Sequence, residues 1–291
     1  MTRLDAVPAP GLVLLGIVSV QVGAGLAKNL FDVLPPSAVV TLRLATSTLV
    51  LVVLTRRSLR ARMDRLSRRD LAVAVAFGVV LATMNVSIYE SIARIPLGIA
   101  VTIEFLGPLG IAVAFSRRRL DLIWVLLAAG GVLLLTRGDA DSVNVAGVGF
   151  ALLAAAGWAA YILLSAATGR RFPGSSGLAL ASVVGTLLVL PLGAATGGTD
   201  LLRPEFLMIG AGIGLLSSVI PYTVELEALR RMPAKLFGIL MSLEPAVAAL
   251  VGFVILGEVL DAREWVAIGC VVAACLGATR THAAPREAPE V

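Results

Sequence analysis

The sequence predicts an all-α polytopic membrane protein, with ten transmembrane helices in two inverted five-helix repeats and both termini cytoplasmic. Three observations carry that expectation. The 291 residues are 58% hydrophobic and only 15% charged, where a soluble domain of this length carries about 25% charged residues. The charges are clumped between long apolar runs, most densely from Arg56 to Arg69. When alternate loops are assigned to opposite sides of ten spans, the basic residues fall mostly on one side.

About 20 residues at about 1.5 Å rise cross a hydrocarbon core of about 30 Å. Apolar runs of that order lie at 11–30, 37–55, 71–92, 96–115, 121–136, 147–168, 176–196, 205–228, 234–257 and 262–279. The first is preceded by Arg3 alone and stays apolar to Ala27. That argues against a cleaved signal peptide, although Val22 to Ala24 has the small-residue form of a cleavage site. The fifth run is the shortest, and the charge distribution requires it. With it in place, 18 of the 24 basic residues share one side, five (Lys28, Arg94, Arg137, Arg203 and Arg263) take the other, and Arg43 lies inside a span. Positive loops stay in the cytoplasm, which orients the chain. The high pI of about 9.9 is thus assigned to loops beside anionic lipid, not to nucleic-acid binding. The tail over 281–291 is expected to be disordered and cytoplasmic.

The two halves, 1–139 and 140–280, can be laid on each other. Pro96 and Pro108 are twelve positions apart, as are Pro233 and Pro245. In each pair the first proline opens a span and the second sits within it. Five spans per half is an odd number, so the second half enters the membrane from the opposite side. Inverted repeats of this kind belong to secondary transporters, which rock one half against the other around a central site. Pro108 and Pro245 are the expected helix-kink positions: a proline has no N–H to donate and displaces the carbonyl four residues back, here those of Glu104 and Met241.

Polar groups at membrane depth mark the candidate site, because an ionisable side chain there costs about 2.5–3.5 kcal/mol unless it faces a cavity or a partner. Glu104 and Glu244 each lie near the middle of a span, within one turn of a kink proline but out of register with each other. Each fits either a site for a substrate ammonium or a proton, or a neutral acid bonded to a neighbouring helix. Glu225 follows Pro221 and Tyr222 toward the inner half of the eighth span. Arg43 is seven residues into the second span, and three readings stay open for it: an ion pair, a carboxylate site, or snorkelling to the outer interface. Lys28 and Glu90, near outer ends, read as interface residues. The uncharged candidates are Gln21, Asn85, Tyr89, Trp158, Tyr161 and Tyr222. Asn85 and Tyr89 share a helix face, as do Trp158 and Tyr161.

Other chemistries lack their residues. The single histidine, His282, is in the tail, and Cys270 and Cys275 share one apolar run, so neither a metal ligand set nor a disulfide framework is indicated. No cofactor is expected. Ser217 and Ser218 have no evident basic partner, which disfavours an intramembrane enzyme. No span repeats polar residues along one face as a channel would. The glycines over 210–214 are read as helix packing, since no strand precedes them.

Three stretches carry a family resemblance: IPLGIAVTIEFLGP over 95–108, FGILMSLEPA over 237–246 and LGE over 256–258. They resemble the threonine/homoserine exporters, in the EamA-type branch of the drug/metabolite transporter superfamily. The similarity extends over roughly residues 11–279. It implies ten helices in two inverted halves, a central cavity, and export of small amino acids across a bacterial inner membrane, driven by the proton gradient. The expected partners are a small-molecule substrate, protons and the lipid bilayer, with the protein a monomer or homodimer. The alternatives are a broader exporter of drugs or metabolites, and an importer.

Overall fold

The computed structural model describes residues 7–63, 66–115, 121–136, 144–172 and 175–281. Among them there are helices and no strands. In chain order these are α1 (Ala9–Asn29), α2 (Pro36–Met63), α3 (Arg68–Ile92), α4 (Leu97–Glu104), α5 (Leu106–Ala114), α6 (Asp121–Thr136) and α7 (Val145–Gly169). They are followed by α8 (Ser176–Gly197), α9 (Pro204–Gly214), α10 (Ile220–Arg231), α11 (Ala234–Met241), α12 (Glu244–Leu256) and α13 (Ala262–Thr281). A π-helical turn, Leu215–Val219, joins α9 to α10. Apart from Thr281, the tail expected to be disordered lies outside the described residues.

Local chemistry sets the helix starts. Ser67 and Asp70 form a reciprocal capping box at α3, and the Asn144 side chain accepts the Gly147 N–H at α7. Each satisfies backbone donors that the first helical turn leaves free. Pro10 and Pro204 lie in the first turns of α1 and α9, where the missing proline N–H costs nothing.

Among the described residues, nine helical segments are long and apolar enough to cross a membrane, with α4–α5, α9–α10 and α11–α12 each counted as one. The segment expected over 121–136 is a helix of 16 residues, below the length of the other nine, and it packs along α13. Outward faces carry exposed apolar side chains such as Leu54, Met208 and Val254, the residues a bilayer would cover.

Inside, small residues let backbones approach. A Cβ on Gly98 would lie 2.7 Å from Ala249 Cα, where α4 crosses α12, and one on Gly78 would lie 2.7 Å from the Ala181 carbonyl, where α3 crosses α8. Lipid tails give helices no hydrophobic reason to associate, so contact of this kind is a main source of cohesion. Helix neighbours follow a regular scheme. α3 packs on α7 and α8, while α10 packs on α1 and α9 on α2. α4 and α5 pack on α7, while α12 and α11 pack on α1. α2 meets α8, α4 meets α12, and α6 meets α13. If the segments are numbered one to ten, each of these pairings maps onto another, or onto itself, when every segment is exchanged for the one five places away.

Candidate functional site

Three helix interruptions meet at the centre of the molecule. The first separates α4 from α5 at Phe105. Pro108 has no N–H to offer the Glu104 carbonyl, and the helix resumes with Leu109 donating to Phe105. The second separates α11 from α12 at Ser242 and Leu243. There Leu243 bonds back three residues to Leu240 before Val247 resumes the four-residue pattern, and Pro245 lies in the new first turn.

The third interruption was not marked as a kink by the sequence. In the π turn the Ile220 N–H reaches back five residues to the Leu215 carbonyl. This leaves the Leu216 carbonyl to accept from Ser19 Oγ at 2.7 Å. Pro221 cannot donate to the Ser217 carbonyl, which accepts from Arg43 NH2 at 3.3 Å instead. Its sequence signal was Pro221 itself, four residues after a serine in mid-span.

Around these breaks lies a cavity of about 230 Å³. Its lining includes Gln21, Arg43, Asn85, Tyr89, Glu104, Trp158, Tyr161, Tyr222, Glu225 and Glu244, together with Ser217, Met84 and Met241. All ten polar and aromatic candidates named from sequence border this one space. Pro108 and Pro245 do not. The serine and the two methionines carried no distinctive signal in the sequence.

Each side chain has a definable support. Glu104 is the last residue of α4 and Glu244 the first of α12, and both are buried. Glu244 Oε1 accepts from Gln21 Nε2 at 2.9 Å. Glu225 packs on α1 at Gly16, where an added Cβ would lie 3.2 Å from Glu225 Oε1. Asn85 donates to the Leu81 carbonyl at 2.8 Å. Trp158 meets Phe105 edge-on at 4.8 Å, and Tyr161 lies 5.1 Å from Phe77 between ring centroids. Tyr89 is flanked by Phe31 and, 5.3 Å from its ring centroid, by the Arg43 guanidinium. Tyr222 also borders a second cavity, of about 260 Å³, toward Glu227 and Arg230.

Arg43 does not snorkel. It turns into the bundle and lines the cavity. Five buried atoms of lining residues have no hydrogen-bond partner among the described residues: Gln21 Oε1, Arg43 Nε, Tyr89 Oη, Ser217 Oγ and Glu244 Oε2. Buried polar groups are nearly always satisfied, so five together mark a place whose polarity exceeds what packing requires.

Lys28, in the last turn of α1, has partners on other helices. Its Nζ lies 2.6 Å from Glu258 Oε1 and donates to the Ile95 carbonyl at 2.8 Å, while Glu258 Oε2 accepts the Leu97 N–H at 2.8 Å. The pair ties the end of α1, the start of α4 and the end of α12 together. Glu258 reaches this position because Gly257 turns the chain with φ +67°, a conformation glycine takes without penalty. Glu90, by contrast, pairs with Arg94 on its own helix side.

A sequence profile described as the EamA-like transporter family matches residues 145–280. The threonine/homoserine exporter RhtA of Escherichia coli (strain K12) is 40% identical over 272 residues, covering 93% of this chain and 90% of its own. RhtA of Salmonella typhimurium (strain LT2) is 40% identical over 283 residues, 96% of this chain and 94% of its own. The uncharacterized transporter YwfM of Bacillus subtilis (strain 168) is 31% identical over 163 residues, 56% of this chain and 54% of its own. A solved crystal structure with 16% identity superposes with a TM-score of 0.60 over 93% of this chain and 96% of that one. That likeness concerns the fold.

Proposed function

This chain belongs to the EamA-like transporter family, and on that premise we propose that it exports small amino acids of the threonine and homoserine type by alternating access coupled to protons. It is a multi-pass transporter of the bacterial inner membrane, not an enzyme. The observation that carries the cargo reading is the central cavity, where three carboxylic acids and one arginine share about 230 Å³. Pockets for drug-sized ligands run from about 300 to 1,000 Å³. A space below that range with both signs of charge suits a small zwitterion better than an amphipathic drug.

The proposed architecture is ten helices in two inverted halves, 1–139 and 140–280, with both termini cytoplasmic. The reciprocal packing scheme supports it, since exchanging the halves preserves the principal helix pairings named above, as rocking about a central site requires. In this reading Glu104 and Glu244 bind the substrate ammonium or the coupling proton. Gln21, Asn85, Tyr89, Trp158, Tyr161, Tyr222 and Glu225 shape the pocket around them.

The test is counterflow in proteoliposomes holding the purified protein. Vesicles loaded with threonine or homoserine should accumulate the labelled amino acid, and an imposed proton gradient should drive its net movement. Uptake no greater than in protein-free vesicles would reject the cargo. Net movement indifferent to the gradient would reject the coupling.

A further inference from the structure

Arg43 is a cation whose hydrogen-bonding capacity is largely unspent. Several basic residues elsewhere in the described protein pair with acids: Lys28 with Glu258, Arg94 with Glu90, Arg203 with Asp200 and Arg263 with Asp261. Arg43 pairs with none of the described carboxylates, although Glu104, Glu225 and Glu244 line the same cavity. A guanidinium has five N–H donors in a planar fork. One of them reaches the Ser217 carbonyl at 3.3 Å, and Nε is buried without a partner.

The position of the group is nevertheless fixed. The Tyr89 ring supports it from one side at 5.3 Å, a cation–π contact that gains strength away from water. The Ser217 carbonyl accepts from its NH2, because Pro221 supplies no competing N–H. A supported, half-buried guanidinium that pairs with no described carboxylate and faces a small cavity matches the bidentate geometry of a carboxylate.

We propose that Arg43 is the carboxylate-binding residue of the central cavity and that it restricts the cargo to small molecules bearing a free carboxylate. The inference rests on the transporter reading above and deepens it, adding the chemical group by which cargo is selected. Amines and amides of the same size then lack the group that Arg43 holds.

The experiment compares an amino acid with its own amide on the full-length purified protein, by competition in threonine counterflow and by ligand-induced thermal stabilisation. Wild type should favour threonine over threoninamide by about tenfold or more, the scale of a lost charge-assisted bond. Arg43→Gln should lose most of that preference in both readouts, whereas Arg43→Lys, which keeps the charge without the fork, should keep part of it. An Arg43→Gln protein that melts normally and still prefers the acid overturns the proposal. If Arg43→Gln does not fold, an Arg43→Lys variant with the full wild-type preference overturns it, and a reduced one supports it. Should wild type ignore threonine and homoserine, the cargo assignment fails separately. The same acid–amide comparison, run by thermal stabilisation on a panel of other amino acids, then decides the role of Arg43. If no small carboxylate stabilises wild type, the proposal is overturned.

Discussion

Gln21 Nε2 donates to Glu244 Oε1 across 2.9 Å, joining the middle of α1 to the first residue of α12. The second oxygen of Glu244 is buried and unpartnered among the described residues, so one half of the carboxyl is oriented by protein and the other is left for a ligand. Glu244→Gln keeps the shape and removes the ionisable oxygen. Threonine counterflow should fall by about tenfold or more, since a hydrogen bond to a charged group contributes about 1.5–3 kcal/mol. Gln21→Leu removes only the orienting donor and should cost less. A Glu244→Gln protein that exchanges threonine at the wild-type rate contradicts this assignment.

Glu104 should behave differently. It ends α4 beside a carbonyl that Pro108 cannot satisfy, and it lies within the electrostatic reach of Arg43. An anion docked on Arg43 changes the field at Glu104, so cargo and proton occupancy become linked. In Glu104→Gln, threonine exchange at equal pH should survive within about threefold, well under the tenfold that about 1.4 kcal/mol would give. Net movement driven by a proton gradient should be lost. Equal loss of both activities would place Glu104 with the substrate instead.

The Lys28–Glu258 pair has a built-in polarity. Lys28 also donates to the Ile95 carbonyl, and Glu258 also accepts from the Leu97 N–H. Leu97 in turn lines the cavity, so the pair anchors one of its lining residues. Breaking a buried pair costs about 3–5 kcal/mol. These side chains retain 22% and 14% exposure, so screening lowers the expected loss to about 1–2 kcal/mol. Lys28→Met or Glu258→Gln should therefore lower the melting temperature. Either should also speed thiol labelling of a Val101→Cys reporter in a background lacking Cys270 and Cys275. Swapping the two charges should not restore stability, because the carbonyl of Ile95 and the N–H of Leu97 would then face like partners. Full rescue by the swap would show that the pair acts through charge alone.

Depth was legible in the sequence because it can be counted along a helix. Glu104, Glu244 and Asn85 each lie many residues from a span end, and a helix rises by a fixed step. The same count places Lys28 near a span end, and it lies in the last turn of α1. What the count could not show is its partner there, Glu258, 230 residues away in sequence. Arg43 stayed ambiguous for the same reason: whether it snorkels depends on the Tyr89 ring and the Ser217 carbonyl, on two other helices. The fifth span was legible on both counts. Its apolar run is the shortest in the sequence, the charge distribution asks for a helix over 121–136, and a helix of 16 residues is there.

Pro221 gives the final expectation. Its missing N–H leaves the Ser217 carbonyl free for Arg43, so Pro221→Ala offers that carbonyl a backbone donor within its own helix. Arg43 would then lose its acceptor while keeping the Tyr89 ring, and would be less firmly held. Threonine affinity should weaken by about three- to tenfold, as loss of about 0.7–1.4 kcal/mol implies, with maximal exchange rate little changed. In an Arg43→Gln background the same proline substitution should add almost nothing, because residues acting through one contact are not additive. Counterflow kinetics on wild type, both single variants and the double variant close the cycle. Additive losses would mean that Pro221 shapes the cavity by a route that does not pass through Arg43.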